Sequence, residues 1–304
     1  MSFSIKPRVW EILACPFCGK PLTQSANGAY CKACDHEYQF LPEGPLDLGL
    51  KKTKSYSLQF DVNPDPNLAA NSAIKLLPLN SFPEVDFSIR RWKIHNMSKE
   101  LISYFPQAKR EGALMLDLGC GTAIHREMCE QAGFEYIGFE LASPRAQIRG
   151  DAQALPFQSN SLEFILSIAV LQYIRYPFIM MREVSRVLQP GGKFIGSVAF
   201  LEPYTTNAYY HQTHLGVYSL LKQADFNIES VAPSPDWTVL TAQARMALFF
   251  KLPFLCSKML VLPLDLLHRF WWKLGCVFSG SERFGETYRL LSTTGSITFI
   301  ATKK

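Results

Sequence analysis

Two groups of residues in this chain have types and spacings that could do chemistry. The first is Cys15-Pro16-Phe17-Cys18 followed, twelve residues on, by Cys31-Lys32-Ala33-Cys34. Two CxxC turns bring four thiolates to one point, and tetrahedral four-cysteine sites of this kind hold structural Zn²⁺. Such a site is coordinatively closed, so it is expected to build structure rather than to catalyse. No secretory leader precedes the cysteines, which favours metal ligands over disulfides. The interval between the pairs carries Asn27-Gly28, a hairpin signal, and a segment of about 40 residues needs metal to supply folding energy that its small core cannot. His36 is open to two readings, a substitute ligand or, the one favoured, a solvent-facing neighbour of the cluster.

The second group is Asp117-Leu118-Gly119-Cys120-Gly121 at the end of the apolar run Leu114–Leu118. A dinucleotide loop would read GxGxxG or GxGxxA, but Ile124 stands three residues after Gly121. A carboxylate at Asp117 would also repel a pyrophosphate. S-adenosylmethionine carries no phosphate, and its sulfonium and ammonium groups welcome an acid, while the glycines allow close backbone approach. Further along, "FEYIGFEL" is a strand ending at Glu140, whose two carboxylate oxygens suit a ribose diol. Asp151 can accept from an adenine amino group, with Ala152 offering its backbone amide. "SLEFILSIAVLQYI" reads as a buried strand followed by a turn, and "REVSRVLQPGGKFIGSVAF" as an amphipathic helix, a Pro-Gly-Gly stop and another strand.

With these five segments in this order, residues 112–200 resemble class I S-adenosylmethionine-dependent methyltransferases of the type 11 kind. The resemblance implies a Rossmann-like, doubly wound α/β sheet of seven strands with the last antiparallel. It implies Asp117, Gly119 and Gly121 near the methionine moiety, Glu140 at the ribose, and Asp151 with Ala152 at the adenine. Two departures stand out: Ala123 replaces a third glycine, and the short Glu140–Asp151 interval leaves a turn where a helix is usual. Residues 10–48 resemble zinc ribbons attached to methyltransferases, including those at the N-terminus of some rRNA guanine methyltransferases.

The remainder of the chain must position these groups. Its 304 residues, 48% hydrophobic and 19% charged, describe a globular protein rather than a disordered one. The organisation expected is a zinc ribbon at 1–50, a linker at 51–86 and a methyltransferase domain at 87–304. Residues 87–105 have helical spacing, as does the stretch from His214, with Leu215, Tyr218 and Leu221 on its apolar face. An apolar, helical insertion at about 233–295 precedes the last strand. Lys251, Lys258, Asp265 and Arg269 punctuate it, and Pro253 and Pro263 are expected to break it into short helices. No charge-free apolar run reaches the roughly 18 residues of a membrane span. The insertion is open to three uses: a lid over an apolar substrate, peripheral membrane contact through 245–275 with Trp271 and Trp272 at the interface, or an interface between copies or partners.

Methyl transfer requires alignment of the acceptor and, for some acceptors, removal of a proton. His211, His214 and Tyr173 are the candidate catalytic residues, with Glu202 a further possible base. The reading expected is methylation, at oxygen, of a small-molecule, glycan-precursor or lipid-like acceptor, in the cytoplasm or at the inner membrane surface. The alternative is an RNA base methyltransferase using the ribbon for recognition; the net charge of +5 is spread without a basic run. A third is a cofactor-binding scaffold that has lost its chemistry.

Overall fold

The computed structural model describes residues 5–60, 76–88, 97–249, 252–279 and 285–304. The chain opens with α1 (Pro7–Ile12), whose first turn accepts a proline. Three short antiparallel strands follow: β1 (Thr23–Ser25), β2 (Gly28–Cys31) and β3 (His36–Gln39). Ser25 pairs with Gly28, so the hairpin turns at Ala26-Asn27, one residue earlier than the Asn-Gly signal indicated. Next comes β4 (Leu46–Asp47). The helix α2 (Lys99–Ser103) is capped by Ser98, whose hydroxyl accepts from the Leu101 amide. Of the helix expected over 87–105, residues 89–96 lie outside the described residues.

The rest alternates strand and helix: β5 (Leu114–Leu118), α3 (Arg126–Gln131), β6 (Glu135–Glu140), β7 (Ile148–Arg149), β8 (Leu162–Ile168), α4 (Pro177–Val187), β9 (Leu188–Ala199), α5 (His214–Gln223) and β10 (Phe226–Pro233). The insertion contributes α6 (Val239–Gln243), a π-helical turn at Ala244–Leu248, α7 (Phe254–Ser279) and α8 (Glu286–Thr293), and the chain returns to the sheet as β11 (Ser296–Lys303). The strand order is β10-β11-β9-β8-β5-β6-β7-β4, with β11 antiparallel to both neighbours. This is the doubly wound sheet expected, with its seven strands joined by an eighth from the ribbon: β4 pairs in parallel with β7.

β5 and β8 are buried on both faces, as continuous apolar runs in parallel sheets are. Successive residues feed two cores. Leu116, Ile165 and Phe194 point to one side, while Met115, Phe164 and Ile195 point to the other. Val9, Leu13, Tyr38, Leu46 and Leu48 of the first 50 residues belong to the first of these cores. Leu13 forms an antiparallel bridge with Phe157, and the Leu46 and Leu48 amides donate to Gln147 and Arg149 carbonyls at 3.0 and 2.8 Å. Complete burial of an aliphatic side chain is worth about 1.5–3 kcal/mol, so the three leucines fasten the ribbon firmly to the sheet.

Two expectations about helices are corrected. Pro263 does not break the insertion: α7 runs continuously for 26 residues with Pro263 inside it. Pro263 and Met259 both lie on the exposed side, where water can satisfy the Met259 carbonyl that has lost its donor. In α5 the buried face is Val217, Leu220 and Leu221, whereas Leu215 is exposed.

Candidate active site

The loop after β5 is shaped by what surrounds its glycines. Gly119 has φ +79°, and a Cβ there would stand 2.2 Å from the Val170 Cγ2, so neither backbone nor space admits a side chain. The Gly119 and Cys120 amides both donate to the Phe139 carbonyl, at 2.8 and 3.1 Å, which ties the loop to the end of β6. There Glu140 turns back onto it: one carboxylate oxygen accepts from the Gly121 amide at 3.1 Å and the other from the Leu141 amide at 2.7 Å. No helix follows β6; a short turn leads to β7, then to Asp151 and Ala152. The Asp151 carboxylate accepts from the Gln153 amide at 2.8 Å and from its side chain. The strap at 54–60 crosses this side of the molecule: the Tyr56 hydroxyl donates to the Gln153 carbonyl at 2.5 Å, and Arg182 donates to the Ser57 carbonyl at 3.0 Å.

These parts surround a cavity of about 940 Å³ whose wall includes Gly119, Gly121, Glu140, Asp151, Ala152 and Tyr173. Of the six residues expected at the cofactor, five line it. Asp117 does not. It is 1% exposed behind the loop, where the Tyr136 hydroxyl donates to it at 2.8 Å. Burial pushes its carboxyl up to about 7, against the pull of the Tyr136 bond and with help from the nearby charge of Glu140. Tyr136, two residues before Gly138 on β6, carries no motif of its own; its place on the same strand face as Gly138 is the signal that would have found it.

Of the candidate catalytic residues, only Tyr173 reaches the wall; its hydroxyl donates to the Thr205 hydroxyl at 3.2 Å. His211 and His214 do not line the cavity. The Tyr209 and Tyr210 amides both donate to the Gln172 carbonyl, at 2.7 and 3.2 Å, so it is Thr206, Asn207 and Tyr209 that this segment presents. His214 instead opens α5, half-buried, and burial lowers its affinity for a proton.

A second cavity, of about 520 Å³, shares Ala169 at the end of β8 with the first. Its wall takes in Glu202 after β9, Trp237 after β10, Arg245 in the π-helical turn, and Phe254 and Lys258 in α7. Glu202 is bonded to the Trp237 indole N–H at 2.7 Å, and burial raises its proton affinity. Nothing in the sequence joined these residues, because they come from separate segments.

The four N-terminal cysteines converge: all their sulfurs lie within 4.8 Å of one another. The Cys15 and Cys34 sulfurs are 4.0 Å apart, and those of Cys18 and Cys31 3.6 Å. Zinc–sulfur bonds of about 2.3 Å in a tetrahedron require a sulfur–sulfur edge of about 3.8 Å, so the thiols fit Zn²⁺. Tyr38 backs the cluster, its hydroxyl 3.3 Å from the Cys15 sulfur. His36 pairs with Cys31 in the strand ladder and is not part of the cluster.

Residues 116–196, from β5 to β9, match a methyltransferase domain family. The biotin biosynthesis bifunctional protein BioHC of Cellvibrio japonicus is 33% identical over 106 residues, 31% of this chain and 21% of that protein. An uncharacterized chloroplastic methyltransferase of Arabidopsis thaliana is 24% identical over 231 residues, 62% of this chain and 61% of that one. A solved complex of the Haloferax volcanii Trm112 methyltransferase activator with a methyltransferase superposes with a TM-score of 0.45 at 16% identity, covering 67% of this chain and 88% of that one. The chain thus spans between about a fifth and three-fifths of the length of these curated relatives. The matched segment, the strand order and the acid-lined cavity define a class I S-adenosylmethionine-dependent methyltransferase domain. The lining suits that cofactor: Glu140 and Asp151 offer carboxylate oxygens as acceptors, and Phe139 and Leu141 supply apolar walls.

Proposed function

We propose that this protein transfers a methyl group from S-adenosylmethionine to an oxygen of a small-molecule or lipid-like acceptor held in the second cavity. The observation that carries this reading is the shared wall at Ala169: a small residue separates the cofactor cavity from a space that contains the half-buried carboxylate of Glu202. When bound, the cofactor supplies a methyl carbon already activated by its sulfonium. Glu140 and Asp151 orient the adenosine, and the loop at Gly119–Gly121 lets the backbone approach the methionine end. Glu202, whose proton affinity is raised by burial, is suited to accept a proton from an acceptor hydroxyl in that second cavity, while Tyr173 lines the cofactor cavity. Asp117 acts from behind, holding the loop through Tyr136.

The insertion supports a lipid-like acceptor. In α7 the polar Ser257 is wholly buried, whereas Leu255, Met259, Leu262, Leu266, Phe270 and Val277, on one face, are 42–79% exposed. Trp271 is 67% exposed, and Lys258 and Lys273 sit on the same helix. Apolar residues outward with lysines and an interfacial tryptophan suit the surface of an anionic bilayer. Among the described residues no helix is long and apolar enough to cross one.

The test is methyl-labelled S-adenosylmethionine incubated with the protein and a cell extract divided into RNA, protein, lipid and small-molecule fractions. Label in the lipid or small-molecule fraction is expected; label in RNA would overturn the reading and make the ribbon the recognition module.

A further inference from the structure

The second cavity contains more positive charge than its surroundings neutralise. Arg245 is half-buried, its guanidinium 5.5 Å above the Phe254 ring, and it has no carboxylate partner among the described residues. Phe254 in turn stacks with Trp237, the ring centroids 6.4 Å apart and the planes at 21°. Lys258, one turn along α7, reaches only Asp236 among the described residues, at 4.0 Å. Lys99, at the start of α2, also lines the cavity, without an ion pair to any described residue. Of the two carboxylates in the wall, Asp236 is exposed, and Glu202 is half-buried with one oxygen accepting from the Trp237 indole, so three cations face two carboxylates. Arg245 also sits in the π-helical turn between α6 and α7. Such turns are rare and cost helix geometry, and they recur where a side chain has to be aimed at a ligand.

From Arg245, Lys258 and Lys99 around the Trp237–Phe254 stack, we infer that the second cavity is an oxyanion site: it takes the carboxylate or phosphate of an amphiphilic acceptor, with the apolar part of that acceptor against the aromatic pair. A guanidinium stacked on a ring offers its remaining N–H groups in one plane, which matches a carboxylate or phosphate. With Arg245 half-buried and Lys258 and Lys99 beside it, the three cations can converge on a single anion. The inference rests on the reading that the first cavity holds S-adenosylmethionine. It deepens that reading by naming the charge of the acceptor.

Calorimetry on the full chain saturated with S-adenosylhomocysteine tests it, using octyl phosphate and octanoate as anionic probes and octylammonium and octanol as their counterparts. One of the two anions is expected to bind, and which one does distinguishes phosphate from carboxylate. Octylammonium and octanol are expected to bind at least tenfold more weakly. Arg245→Met is expected to weaken the anion at least tenfold while leaving S-adenosylhomocysteine affinity unchanged. Lys258→Met, on a different element, provides the same measurement should Arg245→Met misfold. Binding of octylammonium as tight as that of the anions, unchanged anion affinity in the folded variants, or no anion binding at millimolar concentration would overturn the inference. Failure of S-adenosylhomocysteine itself to bind would instead overturn the proposed function.

Discussion

Asp117 makes the protein's stability depend on pH in the direction opposite to that of most carboxylates. Its carboxyl titrates near 3.8 in the unfolded chain and about 7 in the folded one, because burial disfavours the charge. The folded state therefore holds its proton where the unfolded state has released it, and stability from this group is present at low pH and lost as pH rises from about 4 to 7. At 1.36 kcal/mol per unit, the full loss is about 4 kcal/mol, of which about 2–3 kcal/mol falls between pH 5 and pH 8. Asp117→Asn keeps an acceptor for the Tyr136 hydroxyl and removes the titration. It also buries an amide N–H₂, so its absolute stability is not the readout. The readout is the difference in urea unfolding free energy between the two proteins, followed by tryptophan fluorescence at pH 5 and at pH 8. Relative to the wild type, the variant is expected to gain about 2–3 kcal/mol on going from pH 5 to pH 8. Other titrating groups, the zinc thiols included, cancel because both proteins carry them. A difference that does not change with pH, or that changes in the opposite sense, would refute the assignment of a raised, buried carboxyl.

Four further outcomes are expected. Glu140→Ala should weaken S-adenosylhomocysteine binding by about tenfold or more in calorimetry, since charged hydrogen bonds are worth about 1.5–3 kcal/mol. Gly119→Ala places a Cβ 2.2 Å from Val170 in a backbone conformation costly for alanine; thermal unfolding should show a loss of about 2–4 kcal/mol. Cys31→Ser should abolish stoichiometric zinc, read by elemental analysis, and lower S-adenosylhomocysteine affinity, because the ribbon supports β7 immediately before Asp151. Leu262→Asp with Leu266→Asp should abolish co-sedimentation with vesicles of phosphatidylcholine and phosphatidylglycerol while leaving S-adenosylhomocysteine binding intact.

What was legible in the sequence was local. The spacing of the four cysteines, the glycine loop and the acids at two strand ends each depend on neighbours a few residues away; the four sulfurs converge, and Gly119, Gly121, Glu140 and Asp151 line one cavity. Position relative to distant elements was less legible. Asp117 carries the right type for a cofactor contact, yet a strand partner turns it toward Tyr136. His211 and His214 stand in a polar, aromatic stretch, but bonds from Tyr209 and Tyr210 to Gln172 aim other side chains at the cavity. Pro263 reads as a helix breaker until solvent exposure on its own side is known. The second cavity is assembled from segments between Met97 and Ser296, and no periodicity marks it.

The union of β4 with β7 also sets an order of events during synthesis. Leu46 must find Ile148, about a hundred residues later, and Leu13 must find Phe157 later still. At about 5–20 residues per second, the ribosome needs roughly 5–20 seconds to deliver those partners. Throughout that interval the ribbon has emerged but its leucines face solvent. The thiol cluster and its hairpin require nothing downstream, so they can close around metal first and present a finished edge to the sheet as it forms. Zinc supply would then govern how much of the newly made chain completes its catalytic half, well before any substrate is encountered.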